Sequence, residues 1–420
     1  MSRAKQVLRR AADGSRLASF SLLPFAFLLP SAETVSLALT IAGVALLLFV
    51  AYDVYDTILE ARGRSGPASE LLFRAVWRTW RFVCFRLSRQ RRHRWLHHVG
   101  PVLLPTLIAT YIVLLVVGFA LLYYPRMPGH FNVAESIGPI TWFESFYFSG
   151  VTLTTVGFGD ITPRSTSMRV VALIEGASGF ALISLAVTYL LSVYGALERK
   201  RAVALSFYHQ AGEGADVAGF IAHHFAGGRF LGLEATLRVA TRDIQELLEA
   251  HVEHPIIHYF HPVEVYKGLP RVLFLTLEAP SVIHACLDPD EYEQLVRHPE
   301  VSNIEASARH VLGELVASLG LERRSGARDE PTKFHEARRW RARYEQTLKK
   351  LREAGVKTRE DSDAGFEAYR ASREDWESPL QRFANYLGYD WDEVTGDTDL
   401  EYAADEEKER PQGGVVKEVS

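Results

Sequence analysis

Thr154-Thr155-Val156-Gly157-Phe158-Gly159-Asp160 lies between a short aromatic-rich segment and a long apolar one, and its reading decides the rest of the chain. Two glycines one residue apart let alternate backbone positions take φ above zero without a Cβ penalty. That alternation aims successive carbonyls the same way. Stacked carbonyls can replace the water that a cation sheds in a narrow passage, and the Thr155 hydroxyl adds another oxygen. Phe158 would then point away from the carbonyls and wedge the loop against its surroundings. The plainer alternative is a β-turn with two glycines near threonines, because a Gly-x-Gly-Asp run alone is weak. The paired threonines before it and the apolar segments on both sides argue against that alternative.

Outward from this stretch, Thr141 to Thr154 carries Trp142, Phe143, Phe146, Tyr147 and Phe148 and predicts a helix too short to cross a bilayer. It dips in and returns, and its C-terminal end favours cations. Its aromatic stripe also reads as core packing, and a packed cuff would hold the loop open. Upstream, Pro101 to about Tyr124 predicts an outer helix. Roughly 23 residues at ~1.5 Å each give ~34 Å, enough to cross with modest tilt. Pro105 falls near its first turn, and Tyr111, Tyr123 and Tyr124 suit interfacial depths. Pro125 to Pro139 connects the two helices as an external turret. Downstream, about Arg169 to Tyr194 predicts an inner helix that Glu198-Arg199-Lys200-Arg201 ends on the cytoplasmic side.

Together these segments resemble the two-helix pore domain of potassium channels, and Thr155-Val156-Gly157-Phe158-Gly159 resembles their selectivity filter. Phe148-Ser149-Gly150-Val151-Thr152-Leu153 before it and Asp160-Ile161-Thr162-Pro163 after it are similar to the bacterial ion-channel family. The resemblance covers residues 101–195. It implies an all-α membrane protein that assembles as a homotetramer, holds K+ ions in its filter and needs no organic cofactor. It implies coordinating carbonyls on Thr155, Val156, Gly157 and Phe158, with Thr154 and Asp160 supporting the filter. Gly179 falls where the inner helices of such channels bend, with Gly176 nearby; close helix packing is the alternative reading of both. Phe180, Ile183, Val187 and Leu191 follow at helical spacing and would line the cavity and gate. Two departures stand out. Val151 occupies a position where some members carry a glutamate behind the filter, and Phe158 lacks the hydroxyl that the family usually has there. Conversely, Glu175 sits inside the inner helix and is expected to hydrogen-bond to the pore helix or filter support.

The 420 residues carry a net charge of −4 at pH 7, an average that hides an apolar first half and a charged second half. We divide them into a basic N-terminus with a short apolar segment (1–33), a leading transmembrane helix (34–56), a basic cytoplasmic or interfacial linker (57–100), the pore domain (101–195), a helical cytoplasmic domain (202–321), a charged helical segment (322–388) and an acidic disordered tail (389–420). The N-terminal segment reads as a signal peptide or as an interfacial segment; Pro30 spoils the usual cleavage pattern. Residues 57–101 hold ten arginines against Glu60 and Glu70, which places this loop inside. Within it Leu72, Val76, Trp80, Val83 and Leu87 predict an amphipathic helix lying on anionic lipid. A voltage sensor is the alternative, weakened by irregular arginine spacing. Cys84 and Cys286 are expected to be free thiols.

In the second half, 216–225, 231–252 and 291–319 show helical periodicity. No glycine-rich strand-to-helix turn supports a nucleotide-binding domain. His251, His254, His258 and His261 would share one face if that segment were helical, a candidate metal or pH-sensing site that Pro255 and Pro262 interrupt. Trp340, Tyr344, Leu348 and Leu351 fall on one side of a further helix. No catalytic constellation points to an enzyme, and no nucleic-acid partner is expected. The sequence therefore reads as a multi-pass protein of the cell (inner) membrane, with its C-terminal domain cytoplasmic. It conducts K+ passively and is gated at the inner helix. A weakly selective cation channel and a membrane-anchored sensor or scaffold are the rival readings.

Overall fold

The structure is a computed structural model that describes residues 32–60, 65–135, 137–210, 216–322 and 330–396. The expectations for the N-terminal segment and for residues beyond 396 fall largely outside it. The described residues are all-α apart from two two-stranded ribbons. In order the main helices are α1 (Ala32–Val54), α2 (Pro67–Cys84), α3 (Arg89–His97), α4 (Val99–Tyr123), α5 (Trp142–Leu153), α6 (Thr166–Gln210), α7 (Val217–His223), α8 (Leu233–Glu253), α9 (Leu269–Cys286), α10 (Pro299–Ser318), α11 (Glu330–Glu353), α12 (Ser362–Leu387) and α13 (Trp391–Thr395). Among the described residues three helical stretches are long and apolar enough to cross a membrane, and they contain α1, α4 and α6.

The described residues fall into two compact units, one of residues 32–50 and 112–180, the other of residues between 51 and 111 and between 181 and 396. In the first unit α1 meets α4 through glycine. A Cβ built on Gly43 would lie 2.8 Å from the Gly118 carbonyl oxygen, so only small residues permit this backbone approach. Arg126 Nη1 donates to Thr40 Oγ1 at 3.0 Å and to the Leu122 carbonyl at 2.7 Å, which ties the connection after α4 back to α1. β1 (Phe131–Val133) pairs antiparallel with β2 (Ile161–Pro163).

The second unit is organised around α9, all of whose residues except His284 are buried. Pro270 sits in its first turn, where no N–H is needed, and Pro280 interrupts it internally. A buried ionic cluster pins α9 to α11 and α12. Arg373 Nη1 bonds Glu278 at 2.6 Å, Arg373 Nε bonds Glu377 at 2.7 Å, and Trp340 Nε1 donates to Glu377 at 2.6 Å. Cys84 and Cys286 are both buried free thiols.

Several expectations are revised. The inner helix runs on to Gln210, since the charged residues after Leu197 end a membrane crossing but are good helix formers. Residues 322–388 do not form a separate segment: α11 and α12 share one hydrophobic core with α8, α9 and α10, and Trp340, Tyr344, Leu348 and Leu351 are buried in it. Residues 389–396 are folded, because their acids meet the basic linker. Arg92 reaches Asp390 at 2.6 Å and Arg89 reaches Asp392 at 3.0 Å. The linker helix α2 buries Phe73 and Trp77 instead of the expected stripe, against the rings of Tyr259 and Tyr386. It is not among the stretches long and apolar enough to cross a membrane. Its Arg81 lies against the Phe85 and Tyr386 rings and donates to the Asn385 carbonyl.

The four histidines do not share a helix face. α8 ends at Glu253, and Pro255 to Tyr259 form a 3-10 turn. His251 and His258 face each other with ring centroids 4.9 Å apart, His254 bonds Ser192 at 2.7 Å, and His261 bonds His93 at 2.7 Å. Among the described residues no group of three or more His, Cys, Asp or Glu is placed to hold a metal ion. Burial, above all, pushes His258 down to about 3 and holds His251 and His261 well below the ordinary histidine range.

Candidate functional site: the Thr154 to Asp160 loop and its backing

α5 starts with a capping box. The Phe143 N–H donates to Thr141 Oγ1 at 3.2 Å and the Thr141 N–H donates to Glu144 Oε2 at 2.6 Å. At its other end the incoming loop satisfies the last helical carbonyls. The Thr154 N–H reaches the Gly150 carbonyl at 3.1 Å, Thr155 reaches Thr152 at 3.0 Å, and Val156 reaches Val151 at 3.0 Å. Val151, read from sequence as a missing support, therefore contributes through its backbone.

From there φ alternates in sign. Thr155 has φ 58°, Gly157 60° and Gly159 81°; among the described residues Thr155 is the one non-glycine with positive φ. A threonine in this region is strained, and such strain is a feature of functional segments. The Val156 and Phe158 side chains are more than half exposed. The Phe158 ring stacks on Tyr147 with centroids 6.5 Å apart and planes 2° apart. The Tyr147 hydroxyl donates to Asp160 Oδ2 at 2.8 Å, Asp160 Oδ1 accepts from the Ile161 N–H at 3.0 Å, and the Asp160 carbonyl accepts from the Ala134 N–H at 2.9 Å. Asp160 thus ties the loop both to α5 and to the β1–β2 ribbon. Asp160 is legible in the sequence as part of the loop, whereas Tyr147, its partner, stands in an aromatic stripe that gives no sign of a hydroxyl with a specific task.

Behind α5, Glu175 is fully buried. It accepts a hydrogen bond from the Tyr123 hydroxyl at 2.7 Å, and its other oxygen meets Ser149 Oγ. Ser149 also reaches the Val116 carbonyl at 3.0 Å. The carboxyl therefore joins α4, α5 and α6 at one point. Tyr123 packs edge-on against Phe131 and Phe148, with centroids 5.5 Å and 5.1 Å away. Tyr123, which the sequence suggests for an interfacial depth, is buried, and nothing in the sequence marks it or Ser149 as a partner of Glu175. Gly179 lies against the end of α5, and Gly176 lies 3.8 Å, measured from a built Cβ, from the Thr152 carbonyl oxygen. Thr154 caps the helix, its Oγ1 donating to the Gly150 carbonyl at 2.7 Å. Phe180, Ile183, Val187 and Leu191 are each more than half exposed in the single chain, on one face of α6.

Residues 108–195 match a protein family described as "Ion channel". Over 253 residues the chain is 29% identical to the uncharacterized membrane protein YdjJ of Bacillus subtilis (strain 168), a match covering 60% of this chain and 71% of that protein. No solved structure matches. The matched channel segment contains α5, the alternating loop, Glu175 and the exposed face of α6, so the part of this membrane protein that carries the candidate site is similar to ion-channel domains.

Proposed function

We propose that this protein is a potassium-selective channel that assembles as a homotetramer and conducts K+ passively through Thr155 to Gly159. The observation that carries the reading is the alternation of positive φ at Thr155, Gly157 and Gly159 on a loop that leaves the C-terminal end of a helix too short to span. Alternation turns the intervening carbonyls to one side, where four chains would form successive oxygen rings around a dehydrated cation. K+ would be the cargo of the filter, and no organic cofactor takes part.

Asp160 at the outer mouth adds negative charge that concentrates cations. The exposed apolar face of Phe180, Ile183, Val187 and Leu191 would line the shared cavity, and a ring of such residues closes a pore by excluding water. The protein lies in the cell membrane in this reading, with the α7–α13 domain on the cytoplasmic side next to the arginine-rich linker.

Ion flux into liposomes containing the purified full chain tests the reading. K+ uptake at least tenfold above Na+ uptake is expected. Equal uptake of the two ions replaces it with a weakly selective cation channel, and no uptake of either removes the channel reading.

A further inference from the structure

Near its cytoplasmic end α6 carries a cation that the chain does not neutralise. Lys200 is 7% exposed, and its Nζ donates to the Phe260 carbonyl at 3.4 Å. Among the described residues no carboxylate pairs with it, and its charged neighbour is Arg201. A carbonyl offers a dipole and not a counter-charge, so an ammonium buried in this way is left short of an anion.

Arg201 is exposed and likewise has no ion-pair partner among the described residues. Both line a cavity of about 150 Å³ that Lys267 and His97 also line. Lys267 shares its charge with Glu264, 3.0 Å away. The balance at the cavity is thus three formal positive charges against one carboxylate. Phe260 closes its wall and presses on the start of α4, where a Cβ on Gly100 would lie 2.5 Å from its ring. The cavity is therefore built at the place where the start of α4, the 194–201 stretch of α6 and the 260–267 loop converge.

We propose that this cavity binds a phosphate group, either free in solution or on the headgroup of an anionic lipid. Two lysine ammonium groups and one arginine fork supply charge and donors from different directions, which suits a compact, multiply charged oxyanion. The volume is below the roughly 300–1,000 Å³ of sites for drug-sized molecules, which excludes a large organic ligand from its interior. A bound phosphate would supply the counter-ion that Lys200 lacks and would clamp the 194–201 stretch of α6 to the start of α4.

Binding is measured on the full chain in neutral detergent, independently of conduction. The readouts are the shift in unfolding temperature and native mass spectrometry at fixed ionic strength. The probes are inorganic phosphate, phosphatidylglycerol and, as controls, sodium chloride and phosphatidylcholine. Saturable binding of phosphate or phosphatidylglycerol is expected. Saturation by phosphate assigns a soluble anion, and saturation by phosphatidylglycerol alone assigns a lipid headgroup. Lys200→Met should weaken binding at least tenfold while Lys200→Arg stays within threefold. Because Lys200 is buried, the Arg201→Ser/Lys267→Ser double variant at less buried positions provides an independent arm, with a loss of at least tenfold. The proposal is overturned if neither probe binds, if chloride at equal ionic strength reproduces the shift, or if the double variant binds as the wild type does.

Discussion

Gly179 rests directly on the last carbonyl of α5: a Cβ built there would lie 2.1 Å from the Leu153 oxygen. Leu153 is the residue before Thr154, so α6 supports the base of the filter-like loop through bare backbone. Gly176, one turn earlier, has ordinary clearance at 3.8 Å from the Thr152 oxygen. The two glycines therefore pack differently, and of the bend and close packing that the sequence allows for both, close packing accounts for Gly179 without invoking a bend.

Gly179→Ala is expected to force α5 and α6 apart, at about 1–3 kcal/mol per chain for overpacking. K+ flux should fall at least tenfold and the unfolding temperature should drop. Gly176→Ala should keep wild-type flux and stability. A Gly179→Ala protein that opens slowly while retaining its unfolding temperature would point to a hinge instead of a packing contact.

A second prediction concerns Glu175. Gln can keep both contacts, its carbonyl accepting from Tyr123 and its amide donating to Ser149 Oγ, whose own proton serves the Val116 carbonyl. Glu175→Gln should therefore retain most K+ flux and K+-over-Na+ selectivity. Glu175→Ala strands the Tyr123 and Ser149 hydroxyls in apolar surroundings, at about 1–3 kcal/mol for each buried group left unpaired. Selective flux should be lost in that variant, and Tyr123→Phe should fall between the two. Equal flux from the Ala and Gln variants would remove Glu175 from the support of the loop.

The sequence made the membrane half readable because each of its rules acts locally. Length and apolarity mark a span, glycines mark alternating φ, and a short aromatic segment between two spans marks a re-entrant helix. Even Thr155, whose positive φ no propensity rule favours, was included through the motif it belongs to. The second half resisted for a different reason. α9 is buried on almost all sides, so it has no exposed polar face to impose a 3.6-residue rhythm, and Pro280 interrupts it. The histidines were misplaced because spacing alone cannot tell that α8 ends at Glu253. The linker reads as a lipid-facing helix and the acidic segment as disordered, since the pairing of Arg89 and Arg92 with Asp390 and Asp392 spans about three hundred residues of chain.

Arg373 supplies a third prediction. Its guanidinium is buried between Glu278 and Glu377, and removing it leaves the buried Glu278 carboxylate without its counter-charge, while Glu377 keeps its ion pair with Arg339. Arg373→Met should destabilise the α7–α13 domain by about 3–5 kcal/mol. Arg309→Met, which removes a partly exposed ion pair to Glu305 and Asp375, should change stability by less than about 1 kcal/mol. Urea unfolding followed by circular dichroism checks both. Similar midpoints for the two variants would mean that the buried cluster adds nothing beyond a surface pair.

The last prediction is a pH dependence that follows from His258. Its buried ring titrates at about 3, against about 6.5 for an unfolded chain. Between those values the unfolded state binds more protons than the folded one, so stability rises with pH and is lost as the pH falls. The contribution is fully present above about pH 6.5 and is withdrawn progressively down to about pH 3. Between pH 7 and pH 5 this one histidine should remove about 2 kcal/mol of stability. His251 and His261, held low by the same burial, act in the same direction. Acidification should therefore loosen the α8–α9 region. His258→Phe, which has no proton to take up, should flatten the slope of unfolding midpoint against pH. Above pH 7 these rings are already neutral in both states, so alkaline pH should leave stability unchanged on their account. A slope identical in wild type and His258→Phe would show that His258 is not protonated on unfolding in this range.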